Sequence, residues 1–86
     1  MLEKEILVRC QSGLYNKQAT YFVQKANEFD SDISLEIGNR RMNAKSLLGI
    51  MSLGVASGTS IILKVSGTDE EAAAEALENL LQKDVY

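Results

Sequence analysis

Residues 43–54 read NAKSLLGIMSLG, an apolar segment that begins after a serine and ends at a glycine. Ser46 stands directly before an apolar run, where a serine hydroxyl can cap the free amides of a helix N-terminus. The run is apolar on nearly every side, and Gly54 follows it. A short helix on the surface of a small protein cannot bury apolar side chains all around its axis. The segment therefore predicts a short helix, capped by Ser46, that leaves part of its apolar surface exposed.

Alternating apolar residues elsewhere in the chain predict four strands. The first is indicated by alternation through residues 5–9 and is expected to end near residues 11–13. Residues 32–37 predict a second strand, and Gly38-Asn39 supplies the positive backbone angles that a two-residue hairpin turn into a third strand requires. The fourth strand is predicted over residues 60–65, whose apolar members share one face.

Apolar residues at helical spacing predict two further helices. The first is expected to run from about Lys17 to Phe29, with Asn16 as its N-cap. The second is expected to begin at Thr68 to Glu71, which matches a capping box. Its apolar stripe is predicted to consist of Ala73, Ala76, Leu77, Leu80 and Leu81. The resulting order, βαββαβα, is typical of an α+β two-layer sandwich, but the strand order within the sheet does not follow from it.

Length and charge limit the classes of protein to which the chain can belong. Its 86 residues suit one compact domain, predicted to span residues 1–86. A net charge of −3 does not favour direct binding to nucleic acid. The charged N-terminal residues do not resemble a secretion signal, and the apolar runs are too short for a membrane span. We therefore expect a cytoplasmic protein that does not bind membranes.

Two residue types limit the chemistry. Cys10 is the only cysteine, so an internal disulfide is excluded, and we expect its side chain to be a small buried hydrophobe. The chain contains no histidine, so a metal site would need unusual ligands. It also offers no activated nucleophile, no paired general acid and base, and no glycine-rich phosphate loop. The sequence therefore predicts no metal, no other cofactor and no enzymatic activity.

Two motifs resemble signatures of the HPr family of the bacterial sugar phosphotransferase system. They are GLYNKQAT at residues 13–20, which matches in outline, and the segment at residues 43–54, whose spacing matches throughout. The resemblance covers nearly the whole chain. It implies an HPr-like open-faced sandwich, in which a four-stranded antiparallel sheet carries three helices on one face. HPr proteins shuttle phosphate from a general enzyme to sugar permeases.

The chain departs from HPr at the position of the carrier histidine. Tyr15 occupies the place of that histidine, Lys17 the place of an arginine and Gln18 the place of a proline. Carrier chemistry needs an imidazole that is nucleophilic near neutral pH, whereas a phenol has a pKa of about 10. Lys17 also lacks the bidentate fork with which arginine binds a phosphoryl group. The sequence therefore predicts a member of the family that is not a phosphocarrier.

The resemblance implies that Ser46 is a phosphorylation site. The matching serine of Gram-positive HPr proteins, and of their histidine-free Crh-like relatives, is phosphorylated by HPr kinase/phosphorylase. The residues alone favour the simpler role of a helix cap. Beside this serine the family has an apolar patch on which partners dock, and the alternative for each apolar residue of the patch is burial in the core. The matching docking residues are Tyr15, Lys17, Thr20, Leu47, Leu48 and Met51.

Two functions fit this sequence. The first is a Crh-like regulatory phosphoprotein that binds a catabolite control protein, a transcription regulator, as corepressor in carbon catabolite repression. The second is a diverged HPr-like binding module that docks on a phosphotransferase-system protein or a metabolic enzyme without phosphorylation. Tyr15 differs from the glutamine of Crh proteins, which leaves both functions open. The resemblance also leaves open a homodimer formed by swapping of the first strand.

The absence of histidine predicts that phosphoenolpyruvate and the general phosphotransferase enzyme will leave this protein unlabelled. The measurement is intact mass after incubation, and an ordinary HPr serves as the positive control. Acid-labile phosphate on this chain would contradict the prediction, because phosphohistidine is acid-labile.

Overall fold

The computed structural model describes residues 1–84 and contains, within them, four strands and three helices in the predicted order. The elements are β1 (Leu2–Leu7), α1 (Asn16–Ala26), β2 (Asp32–Ile37), β3 (Arg40–Asn43), α2 (Leu47–Leu53), β4 (Ser60–Ser66) and α3 (Glu70–Gln82). The strands pair antiparallel in the order β1-β4-β2-β3. α2 packs on β3, α3 packs on β1 and β4, and α1 lies against α2 and α3. The predicted α+β open-faced sandwich is confirmed. No helix within residues 1–84 is long and apolar enough to cross a bilayer.

The core lies between the sheet and the helices, with β4 at its centre. Ile61, Leu63 and Val65 alternate along β4 and are almost completely buried, as their spacing predicts. The register places Ile6 of β1 opposite Ile61 and Leu35 of β2 opposite Leu63, so buried side chains continue across the sheet. Removal of such apolar surface from water is worth about 25 cal/mol per Å² and is the main force that drives folding.

β1 ends at Leu7, before the predicted end near residues 11–13. Burial continues beyond Leu7, but the amides of Arg9 and Cys10 both donate to the carbonyl of Leu81, at 2.8 and 3.1 Å. The predicted end of β1 is wrong because the alternation of apolar residues indicates only which side chains are buried. After β1 the backbone amides of Arg9 and Cys10 bond the end of α3 and no longer pair with β4. Cys10 is fully buried, as expected, and burial raises the pKa of its thiol.

α1 ends at Ala26 and not at the predicted Phe29. The side-chain amide of Asn27 donates to the carbonyl of Val23 at 2.9 Å and to that of Lys45 at 3.2 Å. An asparagine that bonds the backbone in this way competes with continuation of the helix. Phe29 lies in the following turn and packs against the core while half-buried, so its apolar character indicates burial and not helix.

One smaller prediction needs correction, and another is confirmed. In the β2–β3 hairpin Gly38 has a φ of 56°, but Asn39 does not share the positive angle, as in hairpin turns that require glycine only at the first position. In α3 the buried residues are Ala73, Ala74, Leu77 and Leu81. Ala76 and Leu80 of the predicted stripe are half-buried, and Leu80 packs against the core, so the stripe faces the core as predicted and Ala74 is buried in addition.

The capping box predicted at Thr68 to Glu71 does not form as predicted. Asp69 is the N-cap of α3, and its side chain makes no capping bond to the helix. Its carboxylate instead accepts from the amides of Asp30 and Ser31, at 2.9 and 3.0 Å, and from the Ser31 hydroxyl. Because Ser31 is buried, this carboxylate ties the turn before β2 to the start of α3.

These bonds lower the pKa of Asp69 below its ordinary value of 3.8, chiefly through the Ser31 hydroxyl and next through the Asp30 amide. A carboxyl whose pKa is lower in the folded state stabilises the fold above the unfolded-state pKa, and this contribution is lost as the pH falls through the folded-state pKa. We therefore expect the unfolding free energy to decrease as the pH falls below about 4, and Asp69→Asn to remove that part of the decrease.

Urea denaturation of wild type and Asp69→Asn, from neutral to strongly acidic pH, measures the effect. Ser31→Ala keeps both backbone donors and should give an intermediate pH dependence. An Asp69→Asn variant with the same acid slope as wild type would rule out this account.

Candidate docking and phosphorylation site

α2 is a short helix whose two ends are both capped. The Ser46 hydroxyl accepts a hydrogen bond from the amide of Gly49 at 3.1 Å, so the predicted N-cap is confirmed. A side chain at Gly49 would crowd this hydroxyl, since its Cβ would lie 3.2 Å from the oxygen. Gly54 ends the helix in the left-handed conformation with a φ of 64°.

Polar side chains hold the last turn of α2 in place. Arg40 of β3 donates to the carbonyl of Ser52 at 2.7 Å, and the Ser52 hydroxyl donates to the carbonyl of Gly49 at 2.7 Å. A cation near a helix C-terminus also complements the negative end of the helix dipole. α2 is therefore fixed at both ends and presents its outer surface in a defined orientation.

α2 buries one face and exposes the other, as its composition predicts. Ile50 and Leu53 are buried in the core. Leu48 is 82% exposed, and Leu47 and Met51 are 40% and 39% exposed. We call these three exposed residues the α2 patch. Ser46 is exposed directly before Leu47, so a solvent-accessible hydroxyl lies beside an uncovered apolar surface.

The start of α1 brings Tyr15, Lys17 and Thr20 to the surface near α2. Tyr15 is the N-cap residue, with an extended backbone and no side-chain bond to the helix. Asn16, the predicted N-cap, is instead the first helical residue and has a φ of 48°. Its carbonyl accepts a hydrogen bond from the Thr20 hydroxyl at 3.1 Å. Asparagine suits this position because it tolerates the left-handed conformation, and not because it caps the helix.

A shallow pocket of about 510 Å³ lies between α1 and α2. Lys17 and Thr20 line it from α1, and Met51 lines it from α2. Sequence reasoning missed three further lining residues, Asn16, Tyr21 and Gln24. Tyr21 and Gln24 follow Lys17 at spacings of four and seven residues, which place them on the same helix face, and this spacing is the signal that could have identified them.

The predicted site residues extend along α2 and do not form one cluster. Tyr15 lies at the C-terminal end, where a Cβ on Gly54 would lie 3.6 Å from its hydroxyl. Ser46 lies at the N-terminal end, and the seven residues of α2 separate the two ends by about 10 Å. Tyr15 and Ser46 therefore mark opposite ends of one elongated surface.

Gln18 is fully buried and faces α3 instead of the docking surface. Its side-chain amide donates to the carbonyls of Leu80 and Lys83 at the end of α3. The last carbonyls of a helix have no partner within the helix, so a side-chain donor stabilises that end. Gln18 is therefore a structural link between α1 and α3.

The composition of this surface is suited to binding a partner protein. An apolar patch with polar side chains around it is the composition of a transient protein interface. In the part of the chain that the structure describes, no three histidine, cysteine or acidic side chains are close enough together to hold a metal ion. The arrangement suits docking of a partner protein and modification of the exposed Ser46 hydroxyl.

The sequence and the fold are similar to those of known proteins. The family described as PTS HPr component phosphorylation site matches residues 2–83. HPr-like protein Crh of Halalkalibacterium halodurans is 43% identical over 84 residues, covering 98% of this chain and 100% of that protein. The crystal structure of HPr-C-His from Thermoanaerobacter tengcongensis matches with a TM-score of 0.91 at 44% identity, over 95% and 92% of the two chains. Crh of Bacillus subtilis, whose crystal structure is a dimer with a swapped domain, matches with a TM-score of 0.76 at 43% identity, over 95% and 94%.

The exposure of Leu48 predicts that its truncation has little effect on stability. Leu48→Ala should change the unfolding free energy by less than about 0.5 kcal/mol, as is usual for surface substitutions. Leu53→Ala is the matched control, because Leu53 lies in the same helix and is 6% exposed; it should cost about 2 to 5 kcal/mol. Urea denaturation of both variants makes the comparison, and equal losses would show that Leu48 belongs to the core.

Proposed function

This chain belongs to the HPr family, and from that membership we propose that it is a cytoplasmic, Crh-like regulator of carbon catabolite repression. HPr kinase/phosphorylase phosphorylates it on Ser46. The phosphorylated protein then binds a catabolite control protein, a transcription regulator, as its corepressor. The chain is 43% identical to an HPr-like protein Crh and 44% identical to an HPr, so the absence of histidine, and not the degree of identity, supports a regulator over a carrier.

The observation that carries the proposal is the exposed Ser46 hydroxyl beside the α2 patch. A partner that docks on Leu47 and Leu48 would come within reach of position 46. A phosphoserine adds about −1.5 to −2 charges and three strong acceptor oxygens. Phosphorylation would therefore change the affinity of this surface for a partner with a basic contact region.

Phosphorylation of Ser46 should leave the fold intact. The hydroxyl caps the amide of Gly49, and a phosphate oxygen can accept the same hydrogen bond with a charge that strengthens it. The added negative charge also lies at the positive end of the α2 dipole. The modification should therefore change binding more than it changes stability.

Tyr15 takes no part in phosphoryl transfer. This residue stands at the carrier position and is 37% exposed, but a phenol is a weaker nucleophile than an imidazole and has no hydrogen-bonded base within residues 1–84 to activate it. We place Tyr15 with Lys17 and Thr20 among the docking residues on the α1 side of the surface.

Phosphorylation is tested by incubating the protein with HPr kinase/phosphorylase and ATP and measuring the intact mass. We expect one added phosphate on wild type and none on Ser46→Ala. Ser52→Ala is the matched control, because Ser52 is an exposed serine of the same helix, and this variant should be phosphorylated like wild type.

Binding is tested with a purified catabolite control protein at one stated salt concentration, because salt screens the charge of the phosphate. We expect the Ser46-phosphorylated protein to bind more tightly than the unmodified one. Leu48→Ala should weaken this binding by roughly tenfold or more, as for an exposed apolar anchor. Equal affinities before and after phosphorylation would count against the regulator.

The cap made by Ser46 favours a second candidate function. Its hydroxyl already bonds the Gly49 amide, which explains a serine at this position without any modification. In that case the α2 patch docks unmodified on a phosphotransferase-system protein or a metabolic enzyme. Ser46→Ala would then lose about 0.5 to 2 kcal/mol of stability and bind like wild type, whereas Leu48→Ala would bind weakly.

We also infer that two copies of this chain can exchange β1, since Crh of Bacillus subtilis forms a dimer with a swapped domain. β1 is an edge strand paired with β4. Its Lys4 lies 2.9 Å from Glu78 of α3 in an ion pair. An exchanged β1 would make these same contacts with β4 and α3 of the second copy, which is why exchange of an identical element costs little.

Charge reversal at this ion pair tests the exchange. Lys4→Glu and Glu78→Lys each bring like charges together in the closed monomer and in their own homodimers. In an exchanged heterodimer of the two variants, both pairs have opposite charges. When the two variants are tagged differently and refolded together, we expect more heterodimer than the statistical half, measured by native mass spectrometry.

Wild type refolded with either variant is the control and should show no such preference, because one of its two mixed pairs still carries like charges. A statistical distribution for the two charge-reversed variants, or monomers alone at every concentration, would exclude the exchange.

A further inference from the structure

A second pocket, of about 370 Å³, lies on the face of the sheet that carries no helices. In β2, Ile33 and Leu35 point into the core, so Asp32 and Ser34 point to the opposite, open face. The same alternation brings four polar residues of β3 and β4 to the open face, where they line the pocket: Arg41, Asn43, Lys64 and Ser66. We call this site the sheet pocket.

Within residues 1–84, several donors that line the sheet pocket have protons without a partner. Arg41 donates from Nε to the Ser34 hydroxyl at 3.3 Å, and its other two guanidinium nitrogens bond no described group. Lys45, directly after β3, donates to the carbonyl of Phe29 at 2.7 Å but pairs with no carboxylate of the described chain. The side-chain nitrogen of Asn43 donates to no group in the same range. These groups can donate to a bound carboxylate.

One carboxylate without a partner lines the same pocket. Asp32 accepts no hydrogen bond and forms no ion pair through its side chain within the described residues. It lies two residues before Ser34 on the same face of β2, a separation of about 7 Å along a strand. Because Arg41 bonds Ser34, a carboxylate and a guanidinium line the pocket from positions roughly 7 Å apart.

The charges around the sheet pocket are balanced. Lys64 lies 2.6 Å from Glu36 and 3.4 Å from Glu3, and Glu36 also lies 3.9 Å from Arg41. The set consists of three cations, Arg41, Lys45 and Lys64, and three carboxylates, Glu3, Glu36 and Asp32. A ligand with a net negative charge would therefore meet repulsion as well as attraction. A neutral ligand with opposite charges at its two ends complements the pocket without that repulsion.

We propose that the sheet pocket binds a free amino acid as its zwitterion. The carboxylate of the ligand accepts from Arg41 and Lys45, and its ammonium group donates to Asp32. An ammonium and a carboxylate on one carbon, with a hydrogen bond of about 3 Å at each end, span roughly 7 to 9 Å, which matches the separation of the protein groups. A volume of about 370 Å³ suits a small metabolite. The pocket lies across the sheet from the α2 patch, so the proposal does not rest on the function proposed for Ser46.

Two-dimensional ¹H–¹⁵N NMR of the unmodified protein tests binding, with each of the common amino acids added in turn. We expect at least one of them to cause saturable shifts of the backbone amides of Ser34, Asn43 and Ser66, and no shift at Leu48 of the α2 patch. The deamino and decarboxy analogues of that amino acid, which are propionate and ethylamine in the case of alanine, each keep one charged end. They should bind at least tenfold more weakly than the zwitterion.

Variants at the two ends of the sheet pocket separate a zwitterion from a simple anion. Arg41→Gln should weaken binding at least tenfold, because the carboxylate of the ligand loses the guanidinium. Asp32→Asn should also weaken it at least tenfold, because the ammonium group loses its partner, whereas the same change would strengthen binding of a plain anion. Glu5→Gln is the matched control, since Glu5 is exposed on the open face outside the pocket, and this variant should bind like wild type.

Urea denaturation of the three variants checks their folding, which we expect to be intact because all three side chains are exposed. If Arg41→Gln does not fold, Asp32→Asn and the two analogues still decide the matter. Each of three results would overturn the proposal: no saturable shift with any amino acid, equal affinity for the deamino analogue, or tighter binding by Asp32→Asn. The regulatory role of Ser46 would stand or fall separately.

Discussion

Burial of the inward face of β4 is the interaction on which the rest of this structure depends. β4 is the last strand along the chain, yet it lies between β1 and β2. Its apolar side chains can therefore be covered only after segments far apart in sequence have come together. α3 follows β4 and packs over it, and the end of α3 in turn holds the residues after β1 through the carbonyl of Leu81. β1, the first strand of the chain, is thus held in place by β4 and α3, the last strand and the last helix.

The same architecture explains why α2 has apolar side chains left over. This helix lies over β3, a short edge strand, and has room to bury one face, with Ile50 and Leu53. The exposed residues of the α2 patch would be a liability in a protein without a partner. Capping by Ser46 and by Arg40 keeps that patch in one orientation. The exposed apolar surface with this geometry follows from what a small core cannot cover.

The architecture could be predicted from the sequence because period-two alternation and helical spacing both report which side chains face the core. The strand order could not, since the pairing of β1 with β4 depends on contacts across nearly the whole chain. The errors lie mainly at the ends of elements. Cys10, Asn27 and Asp69 each make hydrogen bonds to distant segments, and no local pattern contains those partners.

The candidate site could be predicted from the sequence only in part. Crowding of apolar residues around Leu48 was enough to predict an exposed surface, because a short helix cannot bury them all. Tyr21 and Gln24 were missed because they carry no apolar signal as strong as that of α2. The proposed phosphorylation of Ser46 rests on family membership, since a serine before an apolar run is also what a simple helix cap requires.

The buried side chain of Gln18 gives a structural role to a position at which this chain departs from the carriers of its family. Its amide bonds the carbonyls of Leu80 and Lys83, so position 18 now contributes to the packing of α1 on α3. A proline, which the carriers of this family have at this position, provides no such donor. A histidine introduced at position 15 would therefore stand close to Lys17 and to a buried glutamine that bonds the end of α3. Carrier chemistry at this surface would therefore need a change at a surface position and a change at an interior one, and the interior change would remove a hydrogen-bond donor from the end of α3.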